Sequence, residues 1–271
     1  MAGTIVFIHG EFLTPKSWEP WRSFFSERGY RCLAPAWPWH DGEPEVLREH
    51  IPAETGHVAL RDIVETLAAL CASLPEKPVL IGHSLGGLVV QVLVNRGLAK
   101  AGVCIGSSAP NGILTLDWSL LLSSAAIANP LRGDSPYILT EREFRERFCN
   151  AMTSEQARAA YMKYAVHESR NVLRGSLGAA GRVDLAREHA PLLFISGDQD
   201  RVVPEKLEQK VATAYAPGSG VADFKEFRGR DHFICTESGW DEVASYVEGW
   251  LLAEPWLAAN RLSPAPPIRP A

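Results

Sequence analysis

The sequence predicts an α/β protein: a mostly parallel central sheet with helices on both faces, interrupted by a helical insertion. Three observations carry this. Short apolar runs alternate with helical patterns through residues 1–110 and again from 186. The runs are apolar at nearly every position, as expected of strands buried on both faces. Residues 111–185 between them carry helical patterns and no strand signal. Strands and helices that alternate through short connections give a parallel sheet covered on both sides.

TIVFIH (4–9) is rich in β-branched and aromatic residues and reads as the first strand. Trp18 to Glu27 reads as a helix, with Trp18, Trp21, Phe24 and Phe25 at helical spacing. RCLA (31–34) is a short strand. Residues 57–74 place Leu60, Ile63, Val64, Leu67, Leu70, Cys71 and Leu74 on one helix face. A strand over 78–82 leads through GHSLGG into a helix over 85–96, with Gly97 as its stop. GVCIGSS (102–108) is a further strand. In the insertion, TEREFRERF and SEQARAAYMKYAVHESRNVL are helical, and the Arg142–Arg147 stretch alternates with Glu as a solvated face does. PLLFISG (191–197) resumes the strand signal, followed by a helix (205–214), a strand (222–228) and a helix (239–252). These divisions give a core of residues 1–110 and 186–254, an insertion of 111–185, and a proline-rich tail, 255–271.

Composition narrows the function. Hydrophobic residues are 46% and the net charge is −5, from 27 basic against 32 acidic side chains. That balance offers no basic footprint for nucleic acid or an anionic membrane. The longest apolar stretch, GILTLDWSLLLSSAAIA, contains Asp117 and is too short and polar to cross a bilayer. Five scattered cysteines without a CxxC pair argue against a disulfide framework, and MAGTIVFIHG lacks the features of a signal peptide. The expectation is a cytoplasmic protein, with a homo-oligomer left open. His and Cys never cluster at ligand spacing, and no phosphate-binding glycine motif occurs, so no metal or cofactor is expected.

The chemistry concentrates at the ends of the strands. Gly82-His83-Ser84-Leu85-Gly86 sits between a strand and a helix. A turn that tight strains its middle residue and needs small neighbours so that strand and helix can cross closely. It holds the Ser84 oxygen out at a helix N-terminus, where N–H groups favour developing negative charge. A serine needs a base, and the base an orienting carboxylate. His232, in FRGRDHFI after the last strand, falls on the same rim. Asp200, in GDQDRVVP after the preceding strand, is the candidate carboxylate, while Asp198, next to Gly197, reads as a turn cap. The backbone N–H groups of Leu85 and of Glu11, after His9-Gly10, are the candidate oxyanion donors. Phe12, Trp37, Trp118 and Tyr161 are candidate pocket residues, with Trp18 and Trp39 also placed near the rim. Together with Phe144, Phe148 and Met162 they suggest an apolar pocket for a small hydrophobic substrate.

HG at 9–10, GHSLGG at 82–87, GDQDRVVP at 197–204 and GRDHF at 229–233, in that order, resemble the α/β-hydrolase superfamily, with the insertion where that superfamily carries its cap. The resemblance implies Ser84 as nucleophile, Asp200 as acid, His232 as base, and the Glu11 and Leu85 amides as oxyanion hole. It is specific for fold and broad for reaction. An esterase, thioesterase or lactonase working through an acyl-enzyme is the leading expectation. A cofactor-free lyase, perhydrolase or haloperoxidase, an oxygenase, a C–C bond hydrolase and a binding-only receptor are the alternatives. A serine at position 84 argues against the branches that attack with a carboxylate. Glu11 is an unusual residue after HG, because a carboxylate there would oppose an oxyanion. Either its side chain pairs with a neighbour such as an arginine, or it anchors substrate or serves as an extra acid–base group.

Overall fold

The computed structural model describes residues 3–113, 129–215 and 219–253. Trp118 and the 255–271 tail lie outside them. Six strands form one all-parallel sheet in the order β2-β1-β3-β4-β5-β6. They are β1 (Thr4–Ile8), β2 (Arg31–Leu33), β3 (Val79–His83), β4 (Ala101–Ile105), β5 (Leu192–Gly197) and β6 (Ala222–Phe227). Alternation within each strand sorts its side chains into two cores. Ile5, Phe7, Val79, Ile81, Val103, Ile105, Leu193 and Ile195 face one side. There they meet Trp21 and Phe25 of α1 (Glu19–Ser26) and Val243, Val247 and Leu251 of the C-terminal helix, Trp240–Leu252. Val6, Ile8, Leu80, Cys104 and Phe194 face the other side. Packed there are α3 (Leu60–Ser73), α4 (Leu85–Asn95) and the Glu205–Ala214 helix. The two edge strands blunt further pairing: β2 has only three residues, and β6 carries Asp223, Lys225 and Glu226.

Between β4 and β5 the chain forms α5 (Glu141–Arg147), α6 (Ser154–Tyr164) and α7 (Arg170–Ser176). Reciprocal capping boxes start two of them, Thr140 with Glu143 and Thr153 with Gln156. Phe144, Phe148, Tyr164 and Ala165 bury their faces against Phe12, Leu13 and Phe233 of the sheet's loops, a third core that ties the insertion to the rim. The Glu205–Ala214 and Trp240–Leu252 helices are α8 and α9.

Three local expectations change. Two single-residue bridges, Asn111 with Arg182 and Tyr137 with Glu168, occur in the stretch expected to be free of strand pairing. A short helix, α2 (Pro44–Glu49), appears where no helix was expected. Trp18 is not at the rim: it ends a tight turn over Pro15–Trp18 and packs, tilted, on Phe7 in the core on one face of the sheet, ring centres 5.2 Å apart and 1% exposed.

β1 lies between β2 and β3, so the connections leaving β1 and β3 go to opposite sides. In open parallel sheets ligands bind at such a switch point, in a crevice beyond the carboxyl ends of the strands. The HGEF turn, after β1, and the GHSLGG turn, after β3, flank this switch point as its two lips.

Candidate active site

The elbow is built by glycines at a close crossing. A Cβ on Gly82 would lie 2.3 Å from the Gly86 carbonyl oxygen, and one on Gly86 2.3 Å from that of Ile8. No side chain fits at either place, so helix α4 packs onto β1 and β3 backbone to backbone. Ser84 pivots between them at φ 55°, ψ −122°, a conformation that costs a non-glycine residue of order 1–3 kcal/mol. Three bonds hold it there: Ser84 N–H donates to Ile105 O (2.9 Å), and Ser84 O accepts from Gly87 N–H (2.9 Å) and Ser108 N–H (3.1 Å).

His232 and Asp200 arrive from the turns after β6 and β5. The Ser84 hydroxyl donates to His232 Nε2 over 2.9 Å, and His232 Nδ1–H donates to Asp200 Oδ2 over 2.7 Å. Asp200 is itself fixed, since Oδ1 accepts from Val202 N–H (2.7 Å) and Val203 N–H (2.8 Å). Gly106 leaves room beside the pair, where an added Cβ would lie 3.2 Å from Asp200 Oδ2 and 3.3 Å from His232 Nδ1. Asp198 accepts from Gly229 N–H (2.6 Å) and so ties the β5 turn to the β6 turn. His83 donates from Nε2 to the His232 carbonyl over 2.7 Å. Burial, and then the neighbouring His232, hold its pKa far below the usual histidine value, so it is a neutral strut.

The insertion grips the His232 turn from above. Phe233 N–H donates to Phe148 O (3.0 Å), Ala151 N–H donates to Asp231 Oδ2 (2.9 Å), and the His232 ring stands at 89° to Phe148, 4.9 Å away. Phe12, itself at φ 64°, lies against Phe148 with ring centres 6.3 Å apart. Tyr161 stands one ring further out, on Phe144, and donates its hydroxyl proton to Leu139 O (3.0 Å). Trp37 is 2% exposed and lies on the His9 ring (4.4 Å).

The other lip is set by His9. It accepts from Trp37 N–H at Nε2 (3.3 Å) and donates from Nδ1 to Gly10 O (3.0 Å), which fixes the tautomer. Burial, with His40 adding to it, lowers its pKa to about 3, so it is neutral. Because a peptide's C=O and N–H point in opposite directions, holding the Gly10 carbonyl also aims the Glu11 N–H. Gly10 packs so closely that a Cβ on it would be 2.9 Å from Ser84 Cβ.

Among the described residues the Glu11 side chain does not pair with an arginine, as one expectation had it. It is buried, Oε1 has no hydrogen-bond partner among the described residues, and burial, reinforced by the charge of Glu168, raises its pKa well above the usual range. Glu168 in turn accepts from Ser169 N–H (2.8 Å) and faces His40 Nε2 at 3.2 Å, off the direction of a linear hydrogen bond. Burial opposes charge on His40, but Glu168 and the carbonyls of Pro38 and His167 overcome it and raise its pKa. Glu208 is a second buried acid behind the site, accepting from Ser107 N–H (2.9 Å), its pKa raised by burial. Glu168, His40, Glu208 and Phe148 were not singled out as site residues in the sequence. Only Phe148 and the WPWH stretch gave a hint, as aromatics near the rim. Among the described residues no His, Cys, Asp and Glu group could hold a metal ion, and no helix is long and apolar enough to cross a membrane.

A parallel sheet with a strained serine elbow at its switch point is the frame of an α/β hydrolase. The chain belongs to the alpha/beta hydrolase family, which it matches over residues 5–246, and it is by that membership an enzyme. Among solved structures it resembles polyneuridine aldehyde esterase (TM-score 0.66, 18% identity, covering 92% of this chain and 98% of that one). It also resembles a monoacylglycerol lipase of Paleococcus ferrophilus (TM-score 0.66, 18%, 92% and 93%). Tomato methylketone synthase I complexed with 2-tridecanone is similar too (TM-score 0.67, 14%, 96% and 99%). At these identities the likeness is one of fold. No curated protein matches the sequence.

Proposed function

We propose that the protein is a serine hydrolase that cleaves an ester, thioester or lactone of a small hydrophobic substrate through an acyl-enzyme. The observation that carries this is the unbroken hydrogen-bonded line from Ser84 through His232 to Asp200. In the first half-reaction Ser84 Oγ attacks the carbonyl carbon as its proton passes to His232 Nε2. The carbonyl oxygen becomes an oxyanion that accepts from the Glu11 and Leu85 N–H groups. The intermediate collapses, and the leaving oxygen or sulfur takes the proton from His232. Water then attacks the acyl-enzyme with His232 again as base, releasing the acid and restoring Ser84. Asp200 holds Nδ1–H throughout, so that Nε2 faces the serine as an acceptor.

The helices of 111–185 act as a cap over this site, and the aromatic wall of Phe12, Phe144 and Phe148 supplies an apolar surface beside His232. The esterase and lipase among the structural neighbours, and the 2-tridecanone in a third, are in keeping with an apolar carbonyl compound as substrate. The test is intact mass after exposure to a fluorophosphonate. The wild type is expected to gain one adduct quickly, and Ser84→Ala and His232→Ala none. A folded wild type that takes no adduct from probes of several sizes would rule the acylating serine out.

A further inference from the structure

Glu11 is the single residue between Gly10, which packs on Ser84, and Phe12, which packs on the wall beside His232. Its side chain therefore starts from the lip of the crevice. It is 9% exposed, and Oε1 has no partner among the described residues. A buried polar group left unpaired is costly, so an unpaired acid beside a reaction site implies a partner that arrives with the ligand.

We propose that Glu11 determines specificity in this site: its carboxyl group donates a hydrogen bond to an oxygen on C2 or C3 of the acyl chain of the substrate. This rests on the serine-hydrolase reading above. The class of substrate is thus a hydroxy- or oxo-acyl ester, thioester or lactone with an otherwise apolar chain. The distance sets the position of that oxygen. By bond lengths a glutamate carboxyl reaches about 4–5 Å from its own backbone N–H. A substrate whose carbonyl oxygen sits on the Glu11 N–H brings an oxygen two or three atoms along the acyl chain within reach.

The surroundings keep Glu11 a donor. The ionisable groups at this corner include His9 on the end of β1, His40 on the connection after β2, His167 and Glu168 on the connection between α6 and α7, and Arg48, whose guanidinium donates to Ala165 O and Met162 O. His9 is neutral, burial and then Arg48 lower the pKa of His167, and His40, its pKa raised, faces Glu168. Glu11 thus has a negative neighbour and, among the described residues, no cation paired with it, which favours its protonated form. A neutral acid also removes the conflict between a carboxylate and an oxyanion on the same residue's N–H.

The experiment compares kcat/KM for the 4-nitrophenyl esters of octanoic, 2-hydroxyoctanoic and 3-hydroxyoctanoic acids in the wild type, Glu11→Leu and Glu11→Gln. The wild type is expected to favour one hydroxy ester over the plain ester about tenfold, the yield of one added hydrogen bond. Glu11→Leu should bring that ratio close to one, and Glu11→Gln, which keeps a donor, should restore most of it. A ratio equal in wild type and Glu11→Leu overturns the proposal, whatever the absolute rates. Calorimetry on Ser84→Ala with octanamide and its 2- and 3-hydroxy derivatives asks the same question without turnover. Tighter binding of a hydroxy amide that is lost on adding Glu11→Leu supports the proposal, and equal binding of all three amides overturns it. A wild type inert to esters and fluorophosphonate, yet selective in calorimetry, would sink the hydrolase reading alone.

Discussion

Gly86→Ala sets two effects against each other. Gly86 is the second residue of α4 and has no positive φ, so helix propensity favours alanine there by about 1 kcal/mol. Its Cβ, however, would lie 2.3 Å from the Ile8 carbonyl oxygen and 2.5 Å from that of His9. Ordinary carbon–oxygen contact is about 3.3 Å, so helix and strand must part by roughly 1 Å. Both obstacles are backbone, and neither can swing aside. The crowding costs of order 1–3 kcal/mol, and a 1 Å displacement of reacting groups costs on the order of 10²-fold in rate. The parting falls between the Ser84 elbow and the His9–Glu11 turn, so attack and oxyanion binding both suffer. The expected result is a folded protein less stable by about 1 kcal/mol in urea, after the propensity gain, that reacts with fluorophosphonate about a hundredfold more slowly. A variant at least as stable as the wild type and within threefold of its labelling rate would refute the close-crossing account of the elbow.

Gly249, inside α9, would give a new Cβ nothing within 4 Å, so Gly249→Ala should gain about 0.5–1 kcal/mol in urea melts and leave labelling unchanged. His9 has its folded pKa depressed to about 3, so its contribution is present above the unfolded value near 6.5 and lost as pH falls toward 3. Between pH 6.5 and 5 that amounts to about 2 kcal/mol, and His9→Asn should lose correspondingly less over this interval in paired denaturation curves. Glu237 has its folded pKa raised to about 8 by burial, then by Asp231, with Arg230 opposing. Its contribution is complete below about 4.5 and lost as pH rises through 8, so the stability of Glu237→Gln should fall less steeply than that of the wild type between pH 5 and 9.

The sheet was legible because strands buried on both faces are written as unbroken apolar runs, and β1, β3, β4 and β5 are all of that kind. Helix α8 fell at its expected bounds, while α2 escaped notice because six residues beginning at a proline carry too little periodicity. Ser84, His232 and Asp200 could be picked out because each ends a strand or follows one, and topology puts those ends together. Trp18 was misplaced because helical spacing shows that a residue is buried without saying on which side of the sheet. The surroundings of Glu11 could not be read at all. Its neighbour Glu168 is far along the chain in the insertion, and the His40 that faces Glu168 sits in an irregular connection. Glu208 looks like any charged position on an amphipathic helix until Ser107 N–H is found pointing at it.

The grip of the insertion on the His232 turn has a consequence for engineering. Phe148 O and the Ala151 N–H hold the residues on either side of His232, and the Phe148 ring stands against its imidazole. On the proposed reading, the segment that would be swapped to alter the choice of substrate is therefore also the scaffold of His232. A graft of foreign helices between β4 and β5 changes two properties at once, and lost turnover in such a chimera would say little about fit. The separable unit is smaller: residues 148–151 belong with the sheet and are best left in place, with the exchange confined to the stretches on either side.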